Sequence, residues 1–234
     1  NSLLISHNSW IGGTYQETIA FVKNTNSQYG IFGFGFSYLN EGTIEKYEAT
    51  GTNGTYIGDI TPYALIAKLN WSGQVIKDFY LGLNIGYMRN DIDSYYIQKG
   101  IIDIGVTYTG FKDTSIALVK KNFGRQVEGN DILGDFILAA GYKYNMVKYG
   151  EINAEADIRM FTFDRFGAGI GIEYIYNKII AVRVGYETDF TEVDGLKGLR
   201  LGTGIKYEKF LVDFAYEPYG DLGQSFKVSL GMDF

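Results

Sequence analysis

The sequence predicts an all-β protein: an antiparallel up-and-down transmembrane β-barrel of about 14 strands, forming one domain over residues 1–234. Three observations predict it: a period-two alternation that keeps the same sense along most of the chain, a composition suited to continuous hydrogen-bonded strands, and links that alternate between short and long. The final stretch shows the alternation most clearly. Phe226, Val228, Leu230, Met232 and Phe234 fall on one side of an extended strand, and Ser225, Lys227, Ser229, Gly231 and Asp233 fall on the other. A soluble antiparallel sheet can alternate in this way. Its recurrence around the chain is what a barrel with lipid outside and a polar interior requires.

The elements follow in order. Leu3–Trp10 and Thr14–Lys23 read as the first two strands, with poor alternation, and Asn24–Gln28 as a polar turn. Tyr29–Leu39 places Phe32, Phe34, Phe36 and Tyr38 on one face, and a long polar loop, Asn40–Asp59, follows. Thr61–Trp71 and Ile76–Met88 turn Leu65, Leu69, Leu83 and Ile85 outward, with a turn expected at Ser72–Val75 and a polar loop at Arg89–Gln98. Ile102–Tyr108 and Lys112–Lys121 come next, with a turn at Thr109-Gly110 between them and the loop Asn122–Asn130 behind. The second half is cleaner. Segments beginning near Asp135, Ile152, Phe166, Ile180, Leu199 and Val212 each set aliphatic and aromatic residues against Gly, Lys, Arg, Asp and Glu.

Links counted back from the last strand are long at Pro218–Gln224, short at Glu208-Lys209, long at Phe190–Lys197 and short around Asn177. They continue short at Asn145–Lys148 and long at Asn122–Asn130. Periplasmic turns and extracellular loops alternate in this way, which puts both termini on the periplasmic side of a bacterial outer membrane. Tyr142, Tyr144, Tyr149, Tyr174, Tyr176, Tyr207, Phe210 and Phe234 collect at the same strand ends, as an interfacial aromatic girdle would.

Composition narrows the function classes. Gly 31, Tyr 20 and Phe 16 against Pro 2 suit many paired strands, because proline cannot donate to a ladder. No run approaches the roughly 20 apolar residues of a membrane helix, which excludes a helical membrane protein and leaves a barrel untouched. Cysteine is absent, so there is no disulfide and no thiolate metal site. A net charge of −6 and a pI near 4.9 argue against a nucleic-acid partner. No signal-peptide pattern opens the sequence at Asn1, so for an exported barrel the chain reads as mature or truncated at its start.

The candidate site residues are the inward charges Glu155, Asp157, Arg159, Glu173, Arg183, Glu187, Arg200, Lys206, Asp213, Glu217 and Lys227, on neighbouring strands with both signs interleaved. They could line a pore and tune what passes, or simply pair across strands and keep the interior satisfied. His7 is the only histidine; it shares a strand face with Ser9 and not with Asn8, and two residues make no mechanism. No metal-ligand cluster and no cofactor motif is present. Gly167-x-Gly169-x-Gly171 and Gly202-x-Gly204 lie within strands and are not phosphate loops. The chain reads as a non-enzyme.

Several stretches carry a family resemblance. Asp213-Phe214-Ala215-Tyr216-Glu217-Pro218-Tyr219-Gly220-Asp221-Leu222-Gly223-Gln224, leading into Ser225–Leu230, resembles the closing hairpin of the PorV-type outer-membrane proteins, relatives of the long-chain fatty-acid transporter (FadL) barrels. Ile5-Ser6-His7-Asn8-Ser9-Trp10 resembles their first barrel strand, and Gly171–Tyr174 and Val182–Tyr186 resemble two later ones. The resemblance implies a 14-stranded barrel surrounded by outer-membrane lipid. It implies transport of hydrophobic small molecules on the FadL side and shuttling of secreted proteins on the PorV side. The alternative is a non-transport barrel subunit of an outer-membrane assembly. The family also carries an N-terminal hatch ahead of the first strand, and no counterpart of that segment stands before Leu3.

Overall fold

The computed structural model describes residues 1–25, 29–50, 53–123, 134–146, 150–161, 165–188 and 198–234. The strands are β1 (Ser2–Ser9), β2 (Tyr15–Asn24), β3 (Ile31–Asn40), β4 (Ile44–Thr50), β5 (Asn53–Ile60), β6 (Tyr63–Ile76), β7 (Phe79–Ile92) and β8 (Tyr95–Phe111). They continue as β9 (Thr114–Phe123), β10 (Phe136–Met146), β11 (Gly150–Phe161), β12 (Arg165–Tyr176), β13 (Ile180–Thr188), β14 (Leu199–Tyr207), β15 (Phe210–Pro218) and β16 (Gln224–Asp233). Fourteen of them form one closed antiparallel barrel in chain order. β4 and β5 stand outside it as a separate hairpin, so β3 pairs directly with β6. The barrel closes where β1 runs against β16, from Ser2 opposite Asp233 to Ser9 opposite Phe226. Closure pairs both edges and leaves no open ladder.

Among the described residues the buried apolar side chains are Pro62, Ile101 and Ala181. The large apolar residues lie instead on the outside: Leu69 is 64% exposed, Ile170 60% and Leu230 57%. A soluble sandwich would bury these residues between its sheets. Here they form a continuous apolar exterior far beyond the patch a soluble monomer exposes. At the end that carries both termini, Tyr142, Tyr144, Tyr176, Tyr207, Phe210 and Phe234 are exposed as a ring around the wall. Phe79, Tyr108 and Phe111 pack there with centroids 4.7 and 5.3 Å apart.

The strand count and faces agree with the sequence pattern, and four boundaries differ. Ser72–Val75 is strand, with the reversal at Lys77-Asp78; Thr109-Gly110 is also strand, with the reversal at Lys112-Asp113. Asp78 and Asp113 take φ 65 and 57, a left-handed conformation that Asp tolerates better than most residues. The expected loop Arg89–Gln98 is mostly the continuation of β7 and β8, with Asp93 at φ 58 in the turn. The expected loop Asn40–Asp59 contains the β4–β5 hairpin, which shifts register at Lys46/Tyr47. Both extensions project from the end opposite the termini, and Lys46 Nζ bonds Asp93 to tie the hairpin to the β7–β8 tip. That bond holds the Asp93 carboxyl below its usual pKa. Phe190–Lys197, Tyr149, and parts of Asn24–Gln28, Asn122–Asn130 and Asn145–Lys148 lie outside the described residues.

Candidate functional site in the barrel lumen

The strand period places Glu155, Asp157, Arg159, Glu173, Arg183, Glu187, Arg200, Lys206, Asp213, Glu217 and Lys227 on the inner wall, all on β11 to β16. Neighbouring strands bring most of them together. Arg159 Nε donates to Asp157 Oδ1 at 2.6 Å and its Nη1 bonds Glu187. Glu187 also takes Arg200 Nη1, and Arg200 Nε reaches Glu217 Oε1 at 2.9 Å. Four strands are thus joined in one alternating row. A second row runs from Glu173 through Arg183 to Asp213, at 2.5 and 2.6 Å, with Asn153 Nδ2 donating to Glu173 at 2.9 Å. Lys206 pairs with Asp233 at 2.9 Å. Glu155 and Lys227 stay outside these rows and have no ion pair among the described residues.

Glycines make room for this belt. Across the ladder Glu155 faces Gly171, Asp157 faces Gly169, Arg183 faces Gly202, Arg200 faces Gly185 and Asp213 faces Gly204. A Cβ at Gly169 would stand 2.4 Å from Asp157 Oδ2, and one at Gly204 would stand 2.3 Å from Asp213 Oδ1. The charged side chains therefore lie along the wall, over glycine backbone, instead of projecting across the lumen. They remain in contact with solvent: Arg183 is 37% exposed and Arg200 47%. A recess of about 800 Å³ opens against the same wall, lined by Glu155, Gly171, Glu173, Arg183, Arg200 and Gly202 among others.

The facing wall differs. Strands β6 to β10 turn Ile66, Met88, Ile97, Ile101, Val119 and Ile137 inward, in the same strand phase as the charged belt. The same phase also turns polar residues inward, among them Asn70, Asn90, Lys99 and Thr107, and part of this polar set forms one compact knot. Asp103 accepts from Lys68 Nζ at 2.7 Å, Asn84 Nδ2 at 3.1 Å and the Asn122 N–H at 2.8 Å. Lys68 and Asp103 belong to the lumen as fully as the charges picked out from the sequence, and their inward phase was the signal for them. Lys143, which pairs with Glu151 at 2.7 Å, belongs there too. His7 lies on the other side of the wall, outside, bonded to Glu17. Among the described residues no group of acidic, His or Cys side chains is arranged to hold a metal.

The wall and the lumen together define a barrel of the membrane-spanning type with an amphipathic interior. Its fold is similar to that of the Pseudomonas putida toluene transporter TodX (TM-score 0.64, 10% identity, 100% of this chain and 89% of that one). It is also similar to a Pseudomonas aeruginosa FadL homologue (TM-score 0.58, 11% identity, 100% and 90%) and to the Ralstonia pickettii toluene transporter TbuX (TM-score 0.58, 12% identity, 99% and 87%). At these identities the likeness is one of fold. It agrees with the FadL side of the resemblance, and the PorV side rests on the residues alone. No family model and no curated protein sequence matches the chain.

Proposed function

We propose that this chain is a bacterial outer-membrane barrel that passes hydrophobic small molecules, with lipid around its outer wall and both termini on the periplasmic side. The observation that carries the reading is the lumen's division into two walls. One is a strip of Ile66, Met88, Ile97, Ile101, Val119 and Ile137, and the other is a belt of ion pairs held flat over glycines. A nonpolar solute can follow the first wall while the second keeps the remaining space hydrated. The apolar exterior supports placement in lipid, and single-chain barrels of this kind span the bacterial outer membrane. The likeness to toluene transporters supports a small hydrocarbon as the test solute.

The test is uptake of a radiolabelled monoaromatic hydrocarbon by cells that carry the barrel. Uptake should exceed that of cells without it and fall in the double variant Ile101→Asp, Val119→Asp at equal amounts of folded barrel. Equal uptake with and without the barrel would overturn the reading. A second reading is a non-transport subunit or secreted-protein shuttle in an outer-membrane assembly. The β4–β5 hairpin supports it, because Tyr47, Tyr56 and Ile57 stand half exposed beyond the barrel. Co-purification of a stoichiometric protein partner, with no solute uptake, would favour it.

A further inference from the structure

Passage through the lumen leaves one feature of the outer wall unused. His7 on β1 faces Glu17 on β2, with Nδ1 2.7 Å from Oε1 and the two side chains 53% and 49% exposed. His7 is also opposite Val228, and Glu17 is opposite Tyr38, both in the outward row. Ionisable groups on a lipid-facing wall are costly and mark function more often than support. The backbone ladder already joins β1 to β2 without them. Ser9 is the next outward residue on β1, about 6.8 Å further along at two residues of strand rise.

The His7 ring stacks on Tyr15 at a centroid distance of 6.1 Å and an interplanar angle of 27°, and Tyr15 is the residue opposite Ser9. Glu17 occupies Nδ1, so Nε2 is the nitrogen left to serve as base; among the described residues no hydrogen bond joins it to Ser9 Oγ, two residues along the same face, and the pair would close on substrate. A hydroxyl nucleophile, an imidazole base and a carboxylate that orients the base therefore share one face of two neighbouring strands, and such a set is recognised by roles and geometry, not by fold. Ser9 ends its strand at the rim away from the termini, flanked by exposed Trp10 and Tyr15. The turn beyond it, Ile11–Gly13, carries Gly12 and Gly13 at φ 68 and 76, with open space where a Cβ would stand. An acyl chain can lie on the apolar wall while its ester reaches this rim.

We propose that Ser9, His7 and Glu17 form an acyl-ester hydrolase site on the outer wall, acting on the acyl esters of lipid packed against the barrel. His7 Nε2 takes the Ser9 proton as Oγ adds to the acyl carbonyl. The ester C–O bond breaks, and the imidazolium returns that proton to the departing alcohol oxygen, leaving a lysolipid and acyl-Ser9. Water then adds to the acyl carbon as His7 takes its proton and passes it to Ser9 Oγ, which releases the fatty acid. Glu17 is the positioning residue: it fixes the Nδ1–H tautomer and faces the imidazolium charge. With the passage reading the proposal shares only the placement of this wall in lipid.

The experiment uses the full chain folded in detergent, with heat-shifted gel migration as the check on folding. It is incubated with a fluorophosphonate probe and, separately, with phosphatidylethanolamine in mixed micelles. The probe should add to Ser9, located by peptide mass. Fatty-acid release should fall on the order of 10³-fold or more in Ser9→Ala and in His7→Ala. Glu17→Gln should lower kcat and slow probe addition to Ser9 with little change in KM, and Glu17→Asp should restore part of both, which a purely structural role would not do. Folded wild type that takes no probe at Ser9, and releases fatty acid no faster than Ser9→Ala, would overturn the proposal. Hydrocarbon uptake is measured separately, so either reading can fail without the other.

Discussion

Arg183→Ala probes the lumen belt at the point where its chemistry is best defined. Arg183 holds two carboxylates, Glu173 at 2.5 Å and Asp213 at 2.6 Å. If this triad were fully desolvated, removing the guanidinium would strand two charges, and breaking a buried pair costs about 3–5 kcal/mol. Exposed pairs are worth about 0.2–1 kcal/mol each. Arg183 keeps 37% of its side-chain surface and the carboxylates keep 24% and 23%, so the triad is partly solvated. Glu173 also retains the Asn153 amide at 2.9 Å. The two pairs together should therefore contribute about 1–2 kcal/mol at low salt, less at high salt. The substitution also makes the lumen more negative by one unit. Urea unfolding in detergent should show the modest loss, and reversal potentials in a planar bilayer should shift toward cation preference. A loss above about 3 kcal/mol with no change in reversal potential would refute a solvated belt and point to a filled lumen.

Three further outcomes follow from the architecture. Leu201→Arg, on the outward face of β14, should cost about 2–4 kcal/mol of folding stability in lipid bilayers; tolerance equal to that of Arg at Asn177 would show that this face does not meet lipid. A protease site inserted between Asn53 and Gly54, at the start of β5, should be cleaved from outside intact cells, and one inserted at Asn177 should not; cleavage of both would break the strand count between them. The Lys46–Asp93 tie should be sensitive to acid, because the lysine lowers the Asp93 pKa. A depressed carboxylate contributes above its unfolded value and loses that contribution as pH falls through the lowered folded value. Hydrogen exchange of the hairpin amides, corrected for intrinsic rate, should be flat from about pH 5 to 8 and rise only in stronger acid. A rise confined to pH 6–7 would implicate another group.

How much of this was legible in the sequence depends on where each strand lies. Along Phe226–Phe234 one face meets an apolar surround and the other a polar interior, so the alternation survives and both strand and face can be read. Beyond Met88 the β7–β8 extension carries polar residues on both faces and reads as loop. Ser72-Gly73 looks like a turn, yet the ladder runs on to Ile76, with Gly73 beside the Trp71 ring. The turn chemistry lay instead in two Lys-Asp pairs, at Lys77 and Lys112. Inward charges follow from parity alone, and their partners do not. That Arg159 reaches Glu187 across the intervening β12, or that Asp213 lies over Gly204, depends on register, which the turn lengths fix. The His7–Glu17 contact has the same origin: a ten-residue separation in sequence becomes a facing pair only because the reversal spans Trp10–Thr14.

Lys99 sits at the foot of that extension. It lies on the inner wall of β8, opposite Met88 and two residues from Ile101, and is only 7% exposed. Among the described residues its ammonium has no hydrogen-bond partner, and neither does the amide oxygen of Asn90 on β7. A buried donor left unsatisfied costs about 1–3 kcal/mol, more when charged. Nothing in the ladder needs this side chain, since the backbone of β8 pairs with β7 on either side of it. Lys99→Met keeps nearly the same length and volume and removes only the charge. It should therefore stabilise the barrel by about 1 kcal/mol or more and extend the apolar strip of Met88, Ile97 and Ile101. In the hydrocarbon uptake assay it should leave transport intact or raise it. Urea unfolding in detergent decides the point: if Lys99→Met unfolds at lower urea than wild type, the ammonium is satisfied in solution and the strip is interrupted by a working cation.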